Sequence, residues 1–407
     1  MKILFLTQIL PYPPDAGPRV KTWNVIRFLK SAGHQVDLVS FVREAEKPYI
    51  SELKFVCDSV TSIPIKRSRI ADLLFAAKSL LSGRPFLVER DRSNSMMTAL
   101  VELAQQNRYD VLHADQLSMV QFALELRQKL LYQPAVIFDA HNATWTIFER
   151  SAEKLKQPFR NLVRWEGKRI KSYEFDLVRQ CDHTLTVTEI DRLALINQGK
   201  NEPVNYHKVT SVPIAVDTNQ MGMIQRIPDE HEIVTLGTLH YPPNADGIRW
   251  FLEEVFPLVK KVDPKAHLTI IGKNPPVDFL MAAEKEPQNI TVTGYVQKLE
   301  PYFEKAGVIV IPVRAGGGMR VRILEAFSRG LPVVTTTVGL EGIEAQHNEH
   351  VLVEDSVQGF ANAVIRLLSN PEDQQKIANR ARILAVHTYD WHVVLNKLNA
   401  IYENLAK

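Results

Sequence analysis

Three consecutive glycines, Gly316, Gly317 and Gly318, are followed closely by Arg320, Arg322 and Glu325. Glycines have no Cβ to hold a ligand away from the backbone, and where such a run opens a helix several amide N–H groups are still unpaired. An anionic phosphate fits there. On a helix predicted from about Met319 to Arg329, at about 100° per residue, Ile323, Leu324 and Phe327 share one side and Arg322, Glu325 and Arg329 the other. Arg320 falls on the apolar side but in the first turn, so its guanidinium could bend over the glycines and pair with a phosphate. Glu325 stands about 8 Å further along the axis at ~1.5 Å per residue. That is close to the span from a diphosphate to the ribose of the same nucleotide, where a carboxylate could accept both ribose hydroxyls. The competing reading makes the glycines a flexible turn and Arg322 and Glu325 a surface i,i+3 pair of little consequence. The coincidence of glycine loop, misplaced arginine and acidic residue in one turn favours phosphate binding.

These residues need a strand before them and a helix under them. Val308 to Val313 is a β-branched apolar run of the kind buried on both faces of a parallel sheet. Strands are also expected at Glu232 to Leu239, His267 to Gly272 and Ile290 to Val296. In the first half, Lys2 to Thr7, Gln35 to Val42, Asp110 to His113, Ala135 to Asp139 and His183 to Val187 alternate with helical segments. The chain therefore reads as α/β, with two Rossmann-like, doubly wound domains. No G-x-G-x-x-G follows the first strand, and Gly272-Lys273 lacks the spacing of a Walker loop.

The segment around Gly316 resembles the C-terminal domain of glycosyltransferase family 4, retaining enzymes of the two-Rossmann GT-B fold, and the resemblance extends along nearly the whole chain. Many members carry two glutamates with seven residues between them here. Glu325 matches the second, and Gly317 stands at the first, which touches the donor sugar in the family. A branch that assembles exopolysaccharides is more similar, with glycines, Arg320, Arg322 and Leu324-Glu325-Ala326 in its pattern. The resemblance implies domains at 1–217 for the acceptor and 218–388 for the nucleotide sugar, with 389–407 crossing back. It places Gly237-Thr238 against the donor diphosphate and the segment of Gly294, Tyr295 and Val296 at the base. Gly17, in the Pro-Tyr-Pro-Pro-Asp-Ala-Gly loop, resembles a glycine that borders donor phosphate and acceptor, and a turn glycine is the alternative.

His141 follows directly on a predicted parallel strand, so it faces the ligand edge of the sheet. Asp139-Ala140-His141-Asn142 resembles the family's Asp-x-His-Asn element, whose histidine sits beside the donor sugar. Ile214 and Ala215 replace the family's Asn-Gly before Val216-Asp217, and β-branched Ile does not tolerate positive φ, so this turn must take another backbone shape. The linker after it is expected to end near Asp229, and the last helix near Ala406. No DxD-type metal motif stands in a suitable loop and no enzymic nucleophile is evident. The resemblance thus implies metal-independent transfer from a nucleotide-diphosphate sugar to a glycan or lipid-linked acceptor, with no cofactor. A nucleotide-sugar 2-epimerase and a non-catalytic sugar-nucleotide-binding subunit are the rival readings.

Composition sets the limits. At 407 residues the chain suits two domains, and 45% hydrophobic with 23% charged residues is globular. A net charge of +3 is too small to argue for nucleic acid. Cys57 and Cys181 cannot build a disulfide framework and suit a reducing cytoplasm. The N-terminal MKILFLTQIL reads as a strand and not a signal peptide, and no apolar run approaches the roughly 18 residues that span a bilayer. Lys66 to Leu81 combines basic residues with Ile70, Leu73, Leu74, Leu80 and Leu81. It is read as a helix covering the N-terminal sheet, with peripheral membrane contact as the alternative.

Overall fold

The computed structural model describes residues 1–153, 155–197, 206–227 and 231–405. The chain forms two compact units, Met1–Ala215 with Val394–Lys407, and Val216–Val393. The expected linker end at Asp229 and helix end at Ala406 lie outside the described residues.

The first unit is built on seven parallel strands, β1 (Lys2–Thr7), β2 (Gln35–Val42), β3 (Ser59–Pro64), β4 (Val111–Asp115), β5 (Ala135–Ala140), β6 (His183–Thr186) and β7 (Val209–Ser211). Their order is β3-β2-β1-β4-β5-β6-β7. The order reverses between β1 and β4, so the helices leave opposite faces there and open a crevice at the strands' carboxyl ends. The second unit holds β8 (Glu232–Leu236), β9 (His267–Ile271), β10 (Ile290–Gly294), β11 (Ala306–Ile311), β12 (Val333–Thr335) and β13 (Leu352–Val353). Its order is β10-β9-β8-β11-β12-β13, with the reversal between β8 and β11. The β-branched and leucine runs bury both faces: Ile3 to Leu6, Val308 to Val310 and Ile233 to Val234 are fully buried.

Three expectations are corrected. The helix Arg69–Ser82 does not cover the sheet: Ile70, Leu73, Leu74, Leu80 and Leu81 are all exposed, and Ser79 is its buried residue. The helix after the glycine loop starts at Val321, with Arg320 as its N-cap, and ends at Ser328. Gly17 is not a loop residue but the first residue of the helix Gly17–Ser31. Its φ is not positive. The Ile214-Ala215 turn takes its other shape with both residues buried, and the Ala215 carbonyl accepts from Asn24 Nδ2 at 2.9 Å.

Candidate active site

Three adjacent parallel strands of the first unit bring polar residues into register at their carboxyl ends. Thr7 pairs with Asp115, and Asp115 with Asp139. Within a buried strand such residues would leave polar atoms unpaired, so they are met from above. Asp115 Oδ2 accepts the hydroxyls of Thr7 at 2.8 Å and Thr22 at 3.0 Å. Its Oδ1 lies 2.7 Å from Nε2 of His141, which follows β5 directly. The carboxylate accepts a hydrogen bond from Nε2–H, leaving Nδ1 as the nitrogen that can address a ligand.

Asp139 is fully buried and ion-paired with Lys21, itself 2% exposed. Burial opposes its charge, but Lys21, His113 and His141 outweigh it and hold the carboxyl well below the usual range. His113 Nδ1 is 2.6 Å from the Tyr402 hydroxyl and its Nε2 3.3 Å from Asp139 Oδ2. Burial pushes the Tyr402 phenol far up, so it is protonated and donates to Nδ1. His113 therefore carries its proton on Nε2, facing Asp139. The helix Gly17–Ser31 delivers Lys21 and Thr22 together, with Gly17 at its first position.

The loop after His141 is fastened from two helices. Asp191 Oδ1 accepts from the Ala143 amide at 2.8 Å, while its own amide is capped by Thr188 Oγ1 at 3.0 Å. Glu174, fully buried in the helix Phe159–Gln180, accepts from the Thr144 amide at 2.8 Å and the Trp145 amide at 3.2 Å. Burial pushes its carboxyl up to about 7 despite those hydrogen bonds.

In the second unit, the glycine loop follows β11 and Gly237-Thr238 follows β8, the two strands at the reversal. Gly316 and Gly318 have φ of 106° and 83°, conformations that favour glycine; Gly317 does not. Arg320 turns its guanidinium back over the loop, donating from Nη1 to the Gly317 carbonyl at 2.7 Å. A Cβ on Gly316 would stand 3.3 Å from Arg320 Nη2, so the glycine makes room for it. Gly237 is likewise covered by Asn244, whose Nδ2 would lie 3.0 Å from a Cβ there, and the same amide donates to the Thr238 carbonyl at 3.3 Å. Arg322 Nη1 and Glu325 Oε2 do form the i,i+3 pair, at 2.5 Å, with Glu325 buried and Arg322 partly exposed.

Tyr295 is apart from this group. It follows β10, the sheet's outer strand, and is 62% exposed, with Lys273 Nζ 4.3 Å from its ring centroid. Lys21, Thr22, His113, Asp115, Tyr402, Glu174 and Asp191 were not expected from sequence. Of the cluster, only Asp139 and His141 carried a signal, through the Asp139-Ala140-His141-Asn142 element.

Asp115, Asp139 and His141 present ligand atoms within 4.8 Å of one another, the arrangement a cation needs. Both carboxylates are already engaged by Lys21, His113, two hydroxyls and His141 Nε2. A cation would have to displace the Lys21 ammonium, so this donor set fits a metal poorly.

Residues 17–220 match the model for Glycosyltransferase Family 4, and residues 230–370 that for Glycosyl transferases group 1. An uncharacterized 44.6 kDa protein in a cps region of Klebsiella pneumoniae is 23% identical over 98% of both chains. Glycogen synthase of Mycobacterium tuberculosis is 25% identical over 58% of this chain and 57% of its own. Among solved structures, the Anabaena protein HepE in complex with UDP and glucose superposes with a TM-score of 0.68 at 13% identity, over 99% of this chain and all of its own. Sucrose-phosphate synthase of Thermosynechococcus elongatus gives 0.73 at 16% identity, over 100% and 99%. The two doubly wound sheets are those of the GT-B fold, and the chain belongs to the group 1, family 4 glycosyltransferases.

Proposed function

We propose that the protein is a retaining, metal-independent glycosyltransferase. It moves a sugar from a nucleoside-diphosphate donor to a glycan or lipid-linked acceptor in cell-envelope or exopolysaccharide synthesis, at the cytoplasmic face of a membrane and without a cofactor. The observation that carries the reading is the glycine loop of the second unit. Two left-handed glycines, an arginine turned over them and a buried carboxylate on the helix they open fall inside one family match.

In this reading, the Arg320 guanidinium and the loop amides stabilise the charge that grows on the diphosphate as its bond to the sugar breaks. The acceptor hydroxyl attacks on the face the diphosphate leaves and gives its proton to a diphosphate oxygen, so the configuration is kept. Glu325 accepts the ribose hydroxyls once it exchanges Arg322 for them. His141, oriented by Asp115, hydrogen-bonds the transferring sugar. Uridine diphosphate is the first nucleotide to try, because it is the one bound to HepE.

Transfer and donor binding are measured together on three variants. Arg320→Ala is expected to lower turnover by more than it lowers affinity, since its partner's charge grows during the reaction. His141→Ala is expected to keep nucleotide affinity and lose transfer. Glu325→Gln is expected to weaken a ribonucleotide donor by about 1.5–3 kcal/mol and its 2′-deoxy form by less. Equal losses on both donors would return Glu325 to a structural pair with Arg322. Turnover of donor to an epimer without acceptor, or binding with no transfer over a broad acceptor panel, would overturn transferase chemistry altogether.

A further inference from the structure

The helix Arg69–Ser82 turns its apolar side outward. At about 100° per residue, Ile70, Leu73, Leu74, Ala77, Leu80 and Leu81 fall within an arc of roughly 120°. That stripe would ordinarily be buried, yet its large side chains are 62% (Leu74) to 89% (Leu81) exposed. The ends of the helix are well made, Ser68 Oγ accepting from the Ala71 amide at 3.1 Å and Gly83 closing it at φ 73°.

Its orientation is fixed from the other side. Ser79 is buried and donates to the Arg84 carbonyl at 2.6 Å. From the helix Phe159–Gln180, Arg169 gives Nη1 to Ser79 Oγ at 3.0 Å and Nη2 to the Ser79 carbonyl at 2.7 Å. Arg169 also pairs with Glu166 at 2.8 Å and lies 4.5 Å over the ring of Trp165. The same helix exposes Phe159, Leu162 and Trp165, and an open depression lined by Gly83, Trp165 and Lys168 joins the two helices.

Charge follows the apolar surface. Residues 66–84 and 156–171 contain eleven basic and two acidic side chains, a surplus of nine in a chain whose total is +3. The remaining residues are therefore six negative. Arg69 and Lys78 lie on either side of the stripe, where long basic side chains can reach headgroups while leucines enter the acyl boundary.

We infer that this surface of the first unit docks on a bilayer rich in anionic phospholipid. A second copy of the chain fits it less well, because a twofold interface would set one cationic patch against another. Among the described residues no helix is long and apolar enough to cross a membrane, so the helix lies on the surface. The inference extends the proposed reading of a lipid-linked acceptor by naming the face that meets the lipid. Vesicle binding needs no donor, so its failure and the failure of transfer are separate results.

The test is co-sedimentation with vesicles of equal parts phosphatidylcholine and phosphatidylglycerol, against phosphatidylcholine alone. The wild type is expected to bind the mixed vesicles, less in high salt. The triple variant Leu73→Ser, Leu74→Ser, Leu81→Ser is expected to bind at least about tenfold more weakly, with an unchanged unfolding midpoint. Arg69→Gln with Lys78→Gln should bind more weakly and with less salt dependence. Should the leucine variant misfold, the emission that Trp165→Phe removes reports on the wild type, and it is expected to shift to the blue on binding. Absence of wild-type binding, a folded leucine variant that binds equally well, or a Trp165 signal unmoved by vesicles would overturn the inference. A wild-type dimer that ignores vesicles and that the leucine changes dissociate would assign the surface to a second copy instead.

Discussion

Lys21 and Asp139 are buried together, and their pairing sets what a single substitution costs. Two opposite charges out of water roughly offset their own desolvation, whereas one alone does not. Lys21→Met should therefore destabilise by about 3–5 kcal/mol, and adding Asp139→Asn should restore much of it, both read from denaturant midpoints. Residues 21 and 139 lie on different elements, and neither carries a sign of the other in the sequence. His141 was legible because a strand's carboxyl end is a place the sequence reveals. Its partner Asp115 was not, because strand order and register decide which strand ends are neighbours. Arg320 was legible as an arginine off its helical pattern, though it stands one residue before the helix, where its backbone is extended.

Among elements, the helix Phe159–Gln180 supports the loop after β5 through Glu174, and this gives a pH dependence. The folded carboxyl titrates at about 7, above its ordinary 4.5, so the folded state holds a proton that the unfolded chain releases in that window. Stability from this group is fully present below the ordinary value and is lost as pH rises through about 7. His183, lowered to about 4 by burial and Lys208, works in the opposite direction but equally in both proteins compared. The stability of the wild type relative to Glu174→Gln should thus fall between pH 5 and 8, by on the order of 3 kcal/mol at most. Thermal midpoints of the two proteins across that range check it, and a constant difference would assign Glu174 its ordinary pKa. The strands read from the sequence were right to within three residues, because continuous apolar runs have few other uses, whereas the edge strands β3, β7 and β13 were not read. The helix Arg69–Ser82 was legible as a helix but not in its orientation, since the same stripe serves either a core or a surface. Arg169, ninety residues away, decides between them.

At the scale of the molecule, each unit has its own hydrophobic core, one around Leu4, Leu112 and Phe138 and the other around Ile233, Val308 and Phe360. A nucleotide without its sugar should address the second unit alone. Hydrogen exchange with saturating uridine diphosphate is expected to slow at 237–244 and 314–329 and to stay unchanged at 141–145. At a hundredfold excess over Kd the gain is about 2.7 kcal/mol. Slowing confined to 141–145 would place the nucleotide in the wrong unit. The net charge was the least informative whole-chain number, because +3 averages a cationic surface with an anionic remainder.

The Tyr402 hydroxyl that sets the His113 tautomer has a consequence for biosynthesis. The first unit is otherwise complete at Ala215, but Val394–Lys407 also belongs to it. Tyr402 therefore arrives only after the ribosome has made nearly two hundred further residues, some 10–40 s later at about 5–20 residues per second. Through that interval His113 lacks the phenol, and the site's hydrogen-bond network closes only after the whole second unit has been synthesised.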